Sequence, residues 1–186
     1  LVKGTVVHKT ILTQGVPESE LADMLSDFED RLPEGVKLAY LPSPGMVKLR
    51  LTSYSGTEEE ARQRVEQLAL EMSSIIGPVV FGHEAQTLEE VIGIRLREMG
   101  ATLATAESCT GGYLSHLITS VAGSSDYFMG GVVSYANQVK EQLLGVEDIA
   151  LRTYGAVSKE VVIQMARGAQ LKFGTTYALA TSGVAG

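Results

Sequence analysis

Two segments of this chain carry side chains that could do chemistry together. The first is Glu107-Ser108-Cys109-Thr110-Gly111-Gly112, where a strand-like run (residues 102–106) gives way to a short helical one (residues 112–119). A serine on a strand-to-helix turn is held out where a ligand can reach it, and the glycines let backbone approach that ligand closely. Such a turn could set a nucleophilic hydroxyl beside donors for an oxyanion, and the helix start offers free N–H groups to an anion. The competing reading is an ordinary capped turn in which Ser or Thr bonds backbone. Cys109 is read as a small packing residue, because no histidine shares a motif with it.

The second segment is Tyr135-Ala136-Asn137-Gln138-Val139-Lys140, again a strand end entering a helix. A lysine works as a base only if its pKa falls far enough to make neutral amine available, which burial or a helix N-terminus can cause. Lys140 therefore needs a buried setting; a solvated surface lysine is the alternative. Asn137 suits an N-cap, and Tyr135 could pass a proton or orient a ligand. A third segment, Thr181-Ser182-Gly183-Val184-Ala185-Gly186, follows another strand with small residues suited to cradling phosphate, Ser182 and Gly183 foremost. His8, His83 and His116 are scattered without zinc-ligand spacing, so no metal and no cofactor is expected.

The elements around these segments alternate. A capping box, Thr87-Leu88-Glu89-Glu90, opens a helix with Val91, Ile92, Leu96 and Met99 inward and Gly100 beyond its end. Strands at residues 102–106, 132–135 and 177–180 are then separated by helices at 112–119 and 137–144 and a longer one capped by Ser158. That rhythm predicts a mainly parallel sheet covered on both faces. The first half reads differently, as strand, helix, strand, strand, helix, strand, the split-βαβ plan. Its strands include Thr5-Val6-Val7, Val79-Val80-Phe81 and the alternating Val47, Leu49 and Leu51; a second capping box, Thr57 to Glu60, opens its longer helix. The expected domains are residues 1–84, a split-βαβ fold, and 85–186, an incomplete α/β domain.

Composition narrows the function. Among 186 residues the net charge is −7, and residues 1–84 carry eight basic against thirteen acidic side chains, a net −5. Nucleic-acid binding rests on clustered Lys and Arg, so it is disfavoured. One cysteine excludes an internal disulfide framework, and no apolar run approaches the ~20 residues of a bilayer span. A cytoplasmic homo-oligomer acting on a small molecule, without a membrane partner, is expected. The opening Leu1 and the closing glycine-rich run suggest a fragment.

Residues 106–112, the run from Gly131 through Lys140, Gly155-Ala156-Val157-Ser158 and Ser182-Gly183-Val184-Ala185-Gly186 together resemble the competence/damage-inducible protein A (CinA) family. The likeness runs from about Thr87 to the end, and the preceding segment is similar to the family's middle domain, described as KH-like. The resemblance implies a nicotinamide-nucleotide amidase that hydrolyses nicotinamide mononucleotide to nicotinate mononucleotide and ammonia without a metal. It implies Ser108 as nucleophile, Lys140 as base and Tyr135 as an assisting residue, with Thr110, Gly111, Gly112 and Asn137 in the substrate pocket. It also implies further elements after the Ser-Gly-x-Ala-Gly motif. A nucleotide-binding regulatory module without turnover is the alternative. Nucleic-acid binding by the KH-like half fits least, since residues 1–84 hold no Gly-x-x-Gly loop.

Overall fold

Val47, Leu49 and Leu51 are buried while Lys48 and Arg50 between them are exposed, the period-two pattern of a strand with one face on a core. This strand belongs to a computed structural model that describes residues 6–184. Thr5 of the first expected strand, and Ala185 and Gly186 of the closing run, lie outside the described residues. The chain divides into two compact units between Leu88 and Glu89.

The first unit runs β1 (Val7–Gln14), α1 (Glu18–Asp30), β2 (Val36–Ser43), β3 (Met46–Ser53), α2 (Glu58–Ile76) and β4 (Val80–His83). Its antiparallel sheet has the order β2-β3-β1-β4, as the split-βαβ plan requires. Leu21, Leu25 and Phe28 of α1, and Val65, Ala69, Met72 and Ile76 of α2, fall at helical spacing and pack on Ile11, Leu49 and Leu51. Both halves of the Thr57–Glu60 capping box form, at 3.3 Å into Thr57 Oγ1 and 2.8 Å into Glu60 Oε2. Residues 77–79 make a 3-10 turn around Pro78, so β4 begins one residue later than the apolar run suggests.

The second unit runs α3 (Leu88–Glu98), β5 (Leu103–Glu107), α4 (Tyr113–Thr119), β6 (Phe128–Val133), α5 (Asn137–Leu144), α6 (Asp148–Tyr154), α7 (Lys159–Phe173) and β7 (Tyr177–Thr181). Three parallel strands lie in the order β6-β5-β7. Ala104 and Ala106 face a core built from α5, α6 and α7, with Leu144, Ala150, Val161, Met165 and Ala169. Leu103 faces the other way, onto Ile118 of α4 and Tyr127.

Three expectations need correction. Met99 is exposed, because α3 ends at Glu98 and Gly100 turns the chain through a left-handed conformation (φ 59°). α6 spans only two turns, too short for its period to stand out in sequence. Coverage of both sheet faces is also incomplete among the described residues. α4 packs on β5 and β6, yet Met129 and Val133 of β6 and Tyr177 and Leu179 of β7 are exposed. No helix among the described residues is long and apolar enough to cross a membrane.

α5 is held by a close crossing. Gly168 of α7 lies against the Leu144 carbonyl at the end of α5, and a Cβ there would collide with that backbone oxygen and with the Leu144 Cα at 2.8 Å. No rotamer change can clear a backbone atom. Gly168→Ala should therefore lower the unfolding free energy of the second unit by about 3 kcal/mol, the upper part of the usual overpacking range. Denaturant titration followed by circular dichroism checks this; a loss below about 0.5 kcal/mol would show that the crossing has slack.

Candidate active site

Parallel pairing sets Glu107 beside Val133 on one neighbour and Thr181 on the other. The segments that follow the three strands therefore leave the sheet side by side, at the carboxyl end where ligands bind in open α/β sheets. Backbone hydrogen bonds tie them: Ser108 N–H donates to the Thr181 carbonyl at 3.1 Å, and Ser134 N–H to the Glu107 carbonyl at 2.7 Å. Residues far apart in sequence, at 108, 134 and 181, thus share one locus.

Lys140 enters this locus from the first turns of α5. Its side chain is buried, 1 % exposed, and runs back toward the strand ends. Nζ lies 3.2 Å from Ser108 Oγ, 2.7 Å from the Ser134 carbonyl and 3.1 Å from the Tyr135 carbonyl. Among the described residues no carboxylate forms an ion pair with it. Burial pushes the amine below the ordinary lysine range, with Cys109 acting weakly the other way. A neutral amine has two N–H donors and one lone pair. With the two carbonyls taking the donors, the lone pair is left for the hydroxyl proton of Ser108.

Ser108 is not exposed as the turn suggested: it is 8 % exposed, because Thr181 and Lys140 close around it. The N–H groups at the start of α4 are not free either. Glu107, fully buried, turns its carboxylate onto them: Oε2 accepts from Gly112 N–H (3.1 Å) and Leu114 N–H (2.9 Å), and Oε1 from Ser115 N–H (2.8 Å). The hydroxyls of Ser115 and Thr110 also donate to it, at 2.6 and 2.7 Å. Burial alone would raise this carboxyl's pKa, but the donors outweigh it and hold Glu107 below the ordinary glutamate range. An anion meant for the α4 start thus finds a resident one.

The remaining sequence-derived candidates separate. Thr110 Oγ1, having given its proton to Glu107, accepts from Thr181 Oγ1 at 2.7 Å. Gly111 and Gly112 take φ of 59° and 105°, which a side chain would strain. Tyr135 meets Lys140 only through its carbonyl; its ring is 69 % exposed. Asn137 is exposed and is the first residue of α5, the N-cap being Ala136 without a side-chain cap. Ser182 Oγ donates to the Ala156 carbonyl at 2.7 Å, and Gly183 leaves room for Cys109 Sγ, which lies 2.9 Å from where a Cβ would stand. Beside these lies an open cavity of about 540 Å³ lined by Val157, Ser158, Lys159, Val162, Ala180, Thr181 and Ser182. Sequence reasoning had Glu107 and Thr181 within its candidate segments but gave neither a role, and it did not single out Lys159, which lines the cavity.

The comparisons with known proteins agree with this architecture. The family model described as the CinA C-terminal domain matches residues 85–186, and that of the damage-inducible protein CinA KH domain matches residues 8–82. A CinA-like protein of Amoebophilus asiaticus is 47% identical over 96% of this chain and 43% of its own length. One from Cytophaga hutchinsonii is 45% identical over 97% and 43%. The chain thus spans less than half the length of these curated relatives. Among solved structures, the competence/damage-inducible protein CihA from Agrobacterium tumefaciens shares 40% identity at a TM-score of 0.52. That likeness covers 53% of this chain and 59% of that one. A CinA superfamily protein from Enterobacter cloacae gives 33% and 0.53, over 55% and 64%. With family models matching residues in both of its units, the chain belongs to the CinA family.

Proposed function

We propose that the second unit is the catalytic part of a nicotinamide-nucleotide amidase that works through Ser108 and Lys140. The observation that carries this reading is the 3.2 Å approach of a buried lysine amine, without a carboxylate partner among the described residues, to a buried serine hydroxyl. Family membership supports nicotinamide mononucleotide as the substrate; the geometry supports the type of chemistry.

Lys140 takes the proton of Ser108 as Oγ attacks the carboxamide carbon, and backbone N–H groups hold the oxyanion. The resulting ammonium returns the proton to the leaving nitrogen, so ammonia departs and an ester remains on Ser108. Water, deprotonated by the same amine, then cleaves the ester to the nicotinate product and restores the hydroxyl. Tyr135, with its exposed ring, would act on bound substrate rather than on Lys140, and Asn137, Ser182 and Gly183 would line the approach to the strand ends.

A nucleotide-binding module without turnover is the second reading, favoured by one observation. Three acceptors surround Nζ, the number a permanently charged ammonium would satisfy. The two readings differ in what Lys140→Met does. As a base, its loss should reduce turnover at least ~10³-fold with little change in nucleotide affinity, and Ser108→Ala should do the same. Ammonia release from nicotinamide mononucleotide, alongside calorimetric binding to each variant, separates the two; near-normal turnover in Ser108→Ala would sink the mechanism.

The pH dependence has a definite sign. A lysine held below its unfolded value of about 10.4 is neutral in the folded state over a window in which the unfolded chain still binds the proton. kcat/KM should therefore rise with pH along a limb below about 10.4. Folding stability should also rise with pH between the folded and unfolded pKa values. Lys140→Met should abolish that stability slope. A slope unchanged in Lys140→Met would mean that another group titrates there.

A further inference from the structure

Seven of the nine N–H groups from Ser108 to His116 have a partner among the described residues. Ser108 donates to Thr181, Gly111 to Ser108, Tyr113 to Thr110 and His116 to Gly112, all to carbonyls; Gly112, Leu114 and Ser115 donate to the Glu107 carboxylate. The two left over belong to Cys109 and Thr110, the central residues of the turn that the Gly111 N–H closes onto the Ser108 carbonyl. They follow the proposed nucleophile in the turn and are the N–H groups there without a partner among the described residues.

We infer that Glu107 is a positioning residue: by gathering the α4 N–H groups it fixes the turn so that only the Cys109 and Thr110 N–H groups face the substrate oxyanion. The inference rests on the serine-lysine reading above and assigns its oxyanion donors. α4 is capped at Gly112, which has no side chain to cap with, and the Glu107 carboxylate supplies that cap from the end of β5. The turn is therefore braced from both ends. At one end Thr181 Oγ1 donates to Thr110, whose own hydroxyl donates to Glu107; at the other, Thr105 Oγ1 donates to Ser115 Oγ (2.8 Å), which donates to Glu107. A carboxylate can accept all of these, whereas an amide NH2 in place of either oxygen would face at least one backbone N–H, which has no lone pair to accept its proton. Donors aimed before the reaction begins are what oxyanion stabilisation requires, and a displacement of about 1 Å costs roughly 10²-fold in rate.

The test is Glu107→Gln in the purified protein, with two readouts: steady-state hydrolysis of nicotinamide mononucleotide, and labelling of Ser108 by a small fluorophosphonate, whose phosphoryl oxygen needs the same donors. Glu107→Gln is expected to lose about 10²-fold in kcat and in labelling rate, with KM within about threefold and a cooperative unfolding transition retained. A merely structural role would change stability and leave kcat per folded molecule alone; that result overturns the inference. Should Glu107→Gln not fold, Ser115→Ala decides, since it removes one brace and keeps the carboxylate. A kcat reduced about 3- to 10-fold at constant KM supports the inference, and an unchanged kcat overturns it. Wild-type protein that neither turns over nor labels at Ser108 overturns the serine-lysine reading itself. Active wild type with an equally active Glu107→Gln overturns the role of Glu107 alone.

Discussion

Taking a carboxylate out of water without a cation beside it is unfavourable by several kcal/mol, and among the described residues Glu107 has no ion-pair partner. Its charge survives because five donors converge on it, and each donor constrains something else. Three are main-chain groups that fix the path of residues 112–115; two are hydroxyls whose own acceptor sites must then be filled, by Thr181 and by Thr105. The adjacent strand responds as well. Gly131 of β6 pairs with Thr105, and any side chain there would strike the Thr105 and Ser115 hydroxyls. A small residue in β6 is thus a consequence of a charge in β5.

The two buried ionisable groups stay apart although they stand at the same strand end. No ion pair joins them among the described residues, and the link between them is backbone: Ser134 donates to the Glu107 carbonyl, and the Ser134 carbonyl accepts from Lys140. Pairing would have been the simpler way to bury both. It would also have held Lys140 charged, since a neighbouring anion favours ammonium over amine. Satisfying the acid with neutral dipoles leaves the lysine desolvated without an anion, which is the condition a lysine base requires.

Much of the fold was legible because it is written in local patterns. The alternation of Val47, Leu49 and Leu51, the Thr57–Glu60 capping box and the Ser158 cap each depend on neighbours a few residues away, and each element formed where its pattern lay. Candidate site residues were legible as types, through the placement of Ser108 and Lys140 at strand ends. Their surroundings were not. That Ser108 is buried depends on Thr181, 73 positions away, and that Glu107 occupies the α4 start depends on a side chain folding back over the turn. Asn137 suits a cap by propensity, yet it is the first residue of α5, whose expected bounds of 137–144 the helix keeps. Local signals carry elements; the meeting of elements is a property of the sheet.

The parallel order β6-β5-β7 has a kinetic consequence. The middle strand must pair with one neighbour some 25 residues later and another more than 70 residues later, and each closure loses chain entropy before any contact is made. Sheets of this kind form late relative to their helices. Lys140 owes its burial to groups at the ends of β5 and β6 that its own helix cannot supply. The buried amine does not pre-exist in any segment of the chain. It comes into being only where α5 meets the ends of β5 and β6, so that the setting of Lys140 is a product of long-range pairing.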